Sequence, residues 1–187
     1  MEAVSKIGDS FGPVALRGGG LVSEARIRGR WKAECYDANG KLKWVEEFEN
    51  IVVNEGLNHL LDSTLAGQTQ ITSWYVGLKG SGTPAAADTM GSHSTWSEDQ
   101  NYSESARPTW TPNGAASGQS VSNSAAKATF SINATTTIYG AFLTSSSTKG
   151  GTSGKLYAAG NFASSKSLSA GDQLLVTATF TTADDGV

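Results

Sequence analysis

Residues 51–65 read Ile-Val-Val-Asn-Glu-Gly-Leu-Asn-His-Leu-Leu-Asp-Ser-Thr-Leu, and they decide how the rest of the chain is interpreted. The β-branched run ends at Asn54, a residue type favoured at helix N-caps, and the acidic Glu55 suits the first turn of a helix. Leucines then recur at helical spacing, at Leu57, Leu60, Leu61 and Leu65. We predict one short helix near residues 55–65. Its leucine stripe is expected to be buried against a β structure, with His59 on the exposed side.

The segment before this helix predicts a β-hairpin with a basic face. Apolar and polar residues alternate strictly over residues 24–36, which is typical of a half-buried strand. Asp37-Ala38-Asn39-Gly40 predicts the turn, because Asn-Gly adopts positive φ cheaply, and residues 42–48 return as the second strand. The alternation puts four cations on one face: Arg26, Arg28, Arg30 and Lys32.

The basic row has two interpretations. Glu46, Glu47 and Glu49 can oppose it across the hairpin, and exposed cross-strand pairs contribute only a few tenths of a kcal/mol each. In that case the row is simply a solvated face. Alternatively the row, together with Arg17, binds an acidic partner.

The remainder of the chain predicts an antiparallel β protein. Further strands are expected at residues 72–78, 121–132, 137–143, 155–162 and 173–181. Residues 80–118 are irregular but carry Trp96, Tyr102 and Trp110, which predicts an ordered loop pinned by its rings. We therefore predict a mainly β fold, an antiparallel β-sandwich of jelly-roll-like type with one short helix. Residues 1–22, broken by Gly12-Pro13 and Gly18-Gly19-Gly20, are predicted to form an extended N-terminal arm, and residues 23–187 the sandwich domain.

Composition limits the classes of protein that fit. Hydrophobic residues make up 38% of the 187 residues and Gly contributes 22, so a thick core is not expected and subunit contacts are expected to add stability. The net charge of −3 gives no overall attraction to nucleic acid. The single Cys35 cannot form an internal disulfide and is expected to pack in a strand. We expect no signal peptide and no membrane span, because no run approaches about 20 apolar residues.

Few residues suggest chemistry. Asp88, His93 and Glu98 are side chains of the types that bind divalent ions, but one histidine with two acids is a weak metal signal, and the alternative is a loop in which Asp88 caps a turn and His93 bonds to backbone. Trp96, Tyr102 and Trp110 with Arg107 form either a sugar-binding shelf or core anchors. No phosphate-binding loop or nucleophile elbow is present in the sequence. We predict no enzyme activity, no cofactor and no metal.

An ordered set of short motifs resembles a family of tailed-bacteriophage virion structural proteins over roughly residues 50–181. The motifs are Asn50–Asn58, Trp74–Leu78, Ala87–Met90, Ser92-His93, Trp96–Glu98, Tyr102, Arg107-Pro108, Trp110, Ser122–Ala125 and Gly140–Leu143.

The resemblance implies a non-enzymatic particle component, assembled in the host cytoplasm and located in the virion. The expected function is capsid decoration by a homo-oligomeric cement protein that binds the major capsid protein. The alternatives are a tail, baseplate or fibre-attachment protein bound to other virion proteins, and a glycan-binding module. Neither nucleic acid nor membrane is an expected partner.

Overall fold

The computed structural model describes residues 25–184, which form one curled antiparallel sheet and one helix. The predicted arm at residues 1–22, including Arg17, lies outside the described residues. The elements are β1 Ala25–Tyr36, β2 Leu42–Val52, α1 Asn54–Thr64, β3 Trp74–Lys79, β4 Glu98–Asp99, β5 Thr109–Trp110, β6 Ser120–Ser122, β7 Ala128–Ser131, β8 Thr136–Thr144, β9 Leu156–Leu168 and β10 Gln173–Asp184.

The strands lie in the order β4-β3-β8-β9-β2-β1-β10-β6, while β5 also pairs with β3 and β7 with β10. The sheet curls into a half-barrel. Its longest ladder joins β1 to β10, with twelve residue pairs from Ala25↔Asp184 to Tyr36↔Gln173. The prediction of a mainly β, antiparallel, sandwich-like domain with one helix is confirmed.

The sheet has apolar clusters on both faces. The larger cluster defines the inner face and includes Trp31, Phe48 and Phe180, whose rings contact one another in a chain. Residues next to inner-face residues point the opposite way because side chains alternate along a strand. Phe142 and Ala159 therefore lie on the outer face, where Met90 and Trp96 of the long β3–β4 connection cover them.

The helix was predicted in the right place but with the wrong side buried. Its buried residues are Gly56 and His59, whereas Leu57, Leu61 and Leu65 are 38%, 54% and 81% exposed and Leu60 is half-buried. The expected leucine plug and the exposed His59 are therefore both wrong.

A bulge in β9 explains how α1 is oriented. The β8–β9 register shifts between Leu143, opposite Ala158, and Thr144, opposite Leu156, which leaves Tyr157 as an extra residue in β9. Tyr157 and its neighbour Ala158 therefore both pack with the inner cluster. The Tyr157 carbonyl oxygen accepts a hydrogen bond from Val53 N at 3.1 Å. A Cβ on Gly56 would lie 2.4 Å from that same oxygen, so only glycine lets the helix approach this closely. His59 then meets the Trp74 ring edge-on at 5.6 Å.

The long irregular connection is ordered by its aromatic rings, as predicted. Trp96, Tyr102 and Trp110 are 5%, 0% and 8% exposed. Trp110 Nε1 donates to the carbonyl oxygen of Ala178 at 3.1 Å, and Tyr102 packs edge-on against Phe130 at 5.0 Å. Large apolar rings can therefore define a loop that lacks regular secondary structure.

The single strand predicted over residues 121–132 is instead two short strands, β6 and β7. The buried Asn123 interrupts it. Its Oδ1 accepts from Ala178 N at 2.7 Å and its Nδ2 donates to the Val176 carbonyl at 3.1 Å. The Asn123 side chain thus makes the hydrogen bonds to β10 that strand backbone would otherwise make, and the chain turns between β6 and β7.

Candidate functional site

The outer face of β2, β1 and β10 carries the predicted basic row. Arg28 and Arg30 are exposed and Lys32 is half-buried, so the strand alternation read from the sequence is confirmed. Threonines of β10 flank the row in register, with Lys32↔Thr177, Arg30↔Thr179 and Arg28↔Thr181. On the other side of β1, the backbone register places Lys32 opposite Glu47 of β2 and Arg30 opposite Glu49. These side chains line a groove of about 980 Å³.

Ion pairs neutralise part of this groove. Arg30 Nη2 lies 2.6 Å from Glu47 Oε2, and these side chains are 76% and 50% exposed. Lys32 Nζ lies 3.0 Å from Glu34 Oε1, and Lys127 also bonds to Glu34. The hydrogen bond from Lys127 holds the pKa of Glu34 below its ordinary value. Among the described residues, Arg28 has no ion pair within 4 Å.

The third acid, Glu46, does not belong to this groove. It points to the inner face and pairs with Lys166 at 2.9 Å, while it accepts Ala163 N at 2.9 Å. The acids that oppose the basic row across the hairpin are therefore Glu47 and Glu49.

Each of the residues considered as metal ligands is bound by other protein groups. Asp88 Oδ2 accepts Ala85 N and Trp96 Nε1, both at 2.8 Å. His93 stacks on Trp96 at 3.9 Å and its Nδ1 lies 3.1 Å from the Trp96 carbonyl oxygen. Glu98 instead binds Arg107. Within residues 25–184, no group of three or more His, Cys, Asp and Glu is placed to hold a metal ion.

Arg107 is a buried anchor and does not border an exposed aromatic shelf. It is 2% exposed, and its Nε and Nη2 donate to the two Glu98 oxygens at 2.8 and 2.7 Å. It also donates to the carbonyl oxygens of Ser146 and Gly151 at 2.9 and 2.8 Å. Since the three candidate rings are buried too, they act as core anchors and offer no stacking face to a sugar.

The structure adds one polar cluster that the sequence did not suggest. Lys79 is completely buried, and its Nζ donates to the Gly82 carbonyl at 3.1 Å and to Asn161 Oδ1. Asn161 Nδ2 donates to the same carbonyl at 3.1 Å. Burial lowers the pKa of Lys79 to about 8, although the nearby Asp88 charge opposes the shift. Lys79 and Asn161 are 82 residues apart, so no local pattern could have joined them.

Cys35 is buried next to Asp172, as expected for a cysteine that packs in a strand. Burial, together with the Asp172 charge, raises the pKa of its thiol to about 12. None of the helices found between residues 25 and 184 is long and apolar enough to cross a membrane.

No protein-family model matches this chain, and no curated protein matches it either.

Proposed function

We propose that this protein is a structural component of a tailed-phage particle, a cement protein that docks on the lattice of the major capsid protein. The observation that supports this best is the groove on β2, β1 and β10, which no residue between 25 and 184 covers. A long loop covers the outer face over β8 and β9, whereas the same face over β1 displays a row of cations. The ladder of twelve residue pairs to β10 holds that row in a fixed arrangement.

The proposed partner-binding residues are those predicted from the sequence: Arg17, Arg26, Arg28, Arg30 and Lys32. Their partner would be acidic. Charges at the rim of an interface act mainly on the association rate and its salt dependence. Arg28 is the strongest contributor in this proposal because it has no ion pair with the described residues to break on docking.

The homo-oligomeric part of the proposal is supported by the exposed side of α1. Leu57, Leu61 and Leu65 recur every four residues and form an apolar strip open to solvent. A second copy of the same helix can cover such a strip in a two-fold interface, where each patch meets its own copy. Leu61→Ser should then reduce the mass measured by analytical ultracentrifugation to that of a single chain. Unchanged association would refute this interface.

Docking can be tested with particles that lack the protein. Purified Arg28→Glu/Arg30→Glu protein should fold normally and bind more slowly than wild type at low salt. The difference should shrink near 1 M salt, where the screening length falls to about 3 Å. Lys41→Glu/Lys155→Glu is the matched control, because it changes the net charge equally but lies away from the groove. Wild-type binding by the groove variant at low salt would refute the proposed surface.

Two alternative functions predict different outcomes in the same experiment. A tail, baseplate or fibre-attachment protein would bind in few copies near the tail, whereas a cement protein binds in many copies at lattice positions. A glycan-binding module would bind sugars as an isolated protein. Image reconstruction of the decorated particles, together with a glycan array, separates the three.

A further inference from the structure

Lys79 and Asn161 meet across an intervening strand. Lys79 pairs with Gly140 of β8, and Gly140 pairs with Asn161 of β9, so the three residues form one row across the sheet. The two outer strands are about 9–10 Å apart. A Cβ on Gly140 would lie 2.9 Å from the Asn161 Cα and 1.9 Å from the Gly160 carbonyl oxygen, so glycine at this position lets β8 lie this close to β9.

The surroundings of the Lys79 amine favour its neutral form. Its hydrogen-bond acceptors, the Gly82 carbonyl and the Asn161 amide, are both neutral, and no carboxylate among the described residues lies within 4 Å. A fully buried ammonium without a paired anion is costly, so the amine tends to release its proton. A neutral amine is a nucleophile.

The Asn161 side chain is held with its oxygen toward that amine. Its Nδ2 points away, toward the Gly82 carbonyl at 3.1 Å and Thr83 Oγ1 at 3.3 Å. The Asp88 carboxylate is buried close enough for its charge to act on Lys79, and its Oδ2 is fixed by Trp96 Nε1 at 2.8 Å. The site thus combines a nucleophile and an oriented amide, with a buried carboxylate nearby.

We propose that Lys79 and Asn161 form an intramolecular isopeptide bond that links β3 covalently to β9. The lone pair of Nζ attacks Cγ of Asn161, and the bond from Cγ to Nδ2 breaks. The proton lost by the amine passes to the departing nitrogen, which leaves as ammonia. No atom is oxidised or reduced and no further reactant is needed. The chain loses about 17 Da, the mass of ammonia.

Mass spectrometry tests the proposal directly on the folded, full-length protein after incubation at pH 9. We expect an intact mass about 17 Da below that of the sequence. Trypsin should no longer release the linear peptide Leu156–Lys166, because it stays linked through Asn161 to the peptide that spans residues 44–127. A folded wild-type protein with the full sequence mass and a free Leu156–Lys166 peptide would overturn the proposal.

Variants assign the mass loss to these residues. Lys79→Met and Asn161→Ala should each restore the full mass, whereas Lys149→Arg should keep the loss. Lys149 is a suitable control because its amine also donates to a neutral carbonyl, that of Tyr102 at 2.8 Å. A mass loss that persists in Lys79→Met would point to succinimide formation at an asparagine and refute the bond.

Discussion

Arg107 offers the sharpest test of how this loop-rich domain is stabilised. The side chain is fully buried, binds both oxygens of Glu98 and donates to two carbonyls of the loop between β8 and β9. It also lies over the Phe142 ring at 5.2 Å. Arg107→Met keeps most of the apolar stem but leaves Glu98, itself 7% exposed, as a buried carboxylate without its cation.

The expected loss in free energy of unfolding is about 3–5 kcal/mol, the usual result of removing one partner from a buried ion pair. For a chain of this length each kcal/mol lowers Tm by about 2–4 °C, so Tm should fall by about 6–20 °C. Urea unfolding followed by tryptophan fluorescence measures the free energy directly. Arg30→Met is the matched control, because its pair with Glu47 is exposed and should be worth at most about 1 kcal/mol.

A second comparison separates the ion pair from general loop packing. Replacing both charges in Arg107→Met/Glu98→Leu should recover part of the loss, because no charge is then left buried without a partner. If Arg107→Met costs no more than Arg30→Met, the buried pair does not hold the loops. If the double variant is the least stable of all, the cost comes from lost hydrogen bonds to the loop carbonyls.

Three further outcomes are expected. Leu61→Ala should lower the free energy of unfolding of the single chain by less than about 1 kcal/mol in urea titrations, because over half of that side chain is exposed; a loss of 2–5 kcal/mol would mean that the leucine strip is core after all. Gly56→Ala should cost about 1–3 kcal/mol in the same assay, because its methyl group overlaps the Tyr157 carbonyl oxygen, and a gain in stability would contradict that close approach. Burial of Asp172 favours its protonated form, but hydrogen bonds from Lys43 at 2.5 Å and from Ser169 N outweigh this effect and lower its pKa. The contribution of Asp172 to stability should therefore be complete above about pH 4 and be lost as pH falls through the folded pKa. Asp172→Asn should therefore flatten the fall in denaturation midpoint below about pH 4, and an unchanged acid limb would rule out this residue as its cause.

The sequence predicted those elements whose signal is local. The alternation along β1, the Asn39-Gly40 turn and the helix after Val53 each depend on neighbouring residues, and each is found. The orientation of α1 could not be predicted in this way, because it depends on the β9 bulge that brings Tyr157 against Gly56. The four leucines form the stronger apolar pattern in the sequence, but the close approach of the Gly56 and Tyr157 backbones buries the side of the helix that carries Gly56 and His59.

The groove was partly foreseeable and the buried cluster was not. Period-two alternation places Arg28 and Arg30 on one face, but only the β1–β10 ladder shows that threonines flank them. The Lys79–Asn161 contact joins residues from β3 and β9, which are brought together by pairing with a third strand. Such a contact leaves no periodic trace in the sequence.

The ladder between β1 and β10 also constrains how the chain is made. The last residue of β1, Tyr36, precedes the last residue of β10, Asp184, by 148 residues, so one edge of β1 stays unpaired during synthesis until that length of chain has been added. At about 5–20 residues per second, that delay is about 7–30 s. An unpaired strand edge is an open template for pairing with another nascent chain, and charged side chains discourage this. Charged side chains such as the arginines of β1 are therefore expected to discourage pairing between nascent chains until β10 is made.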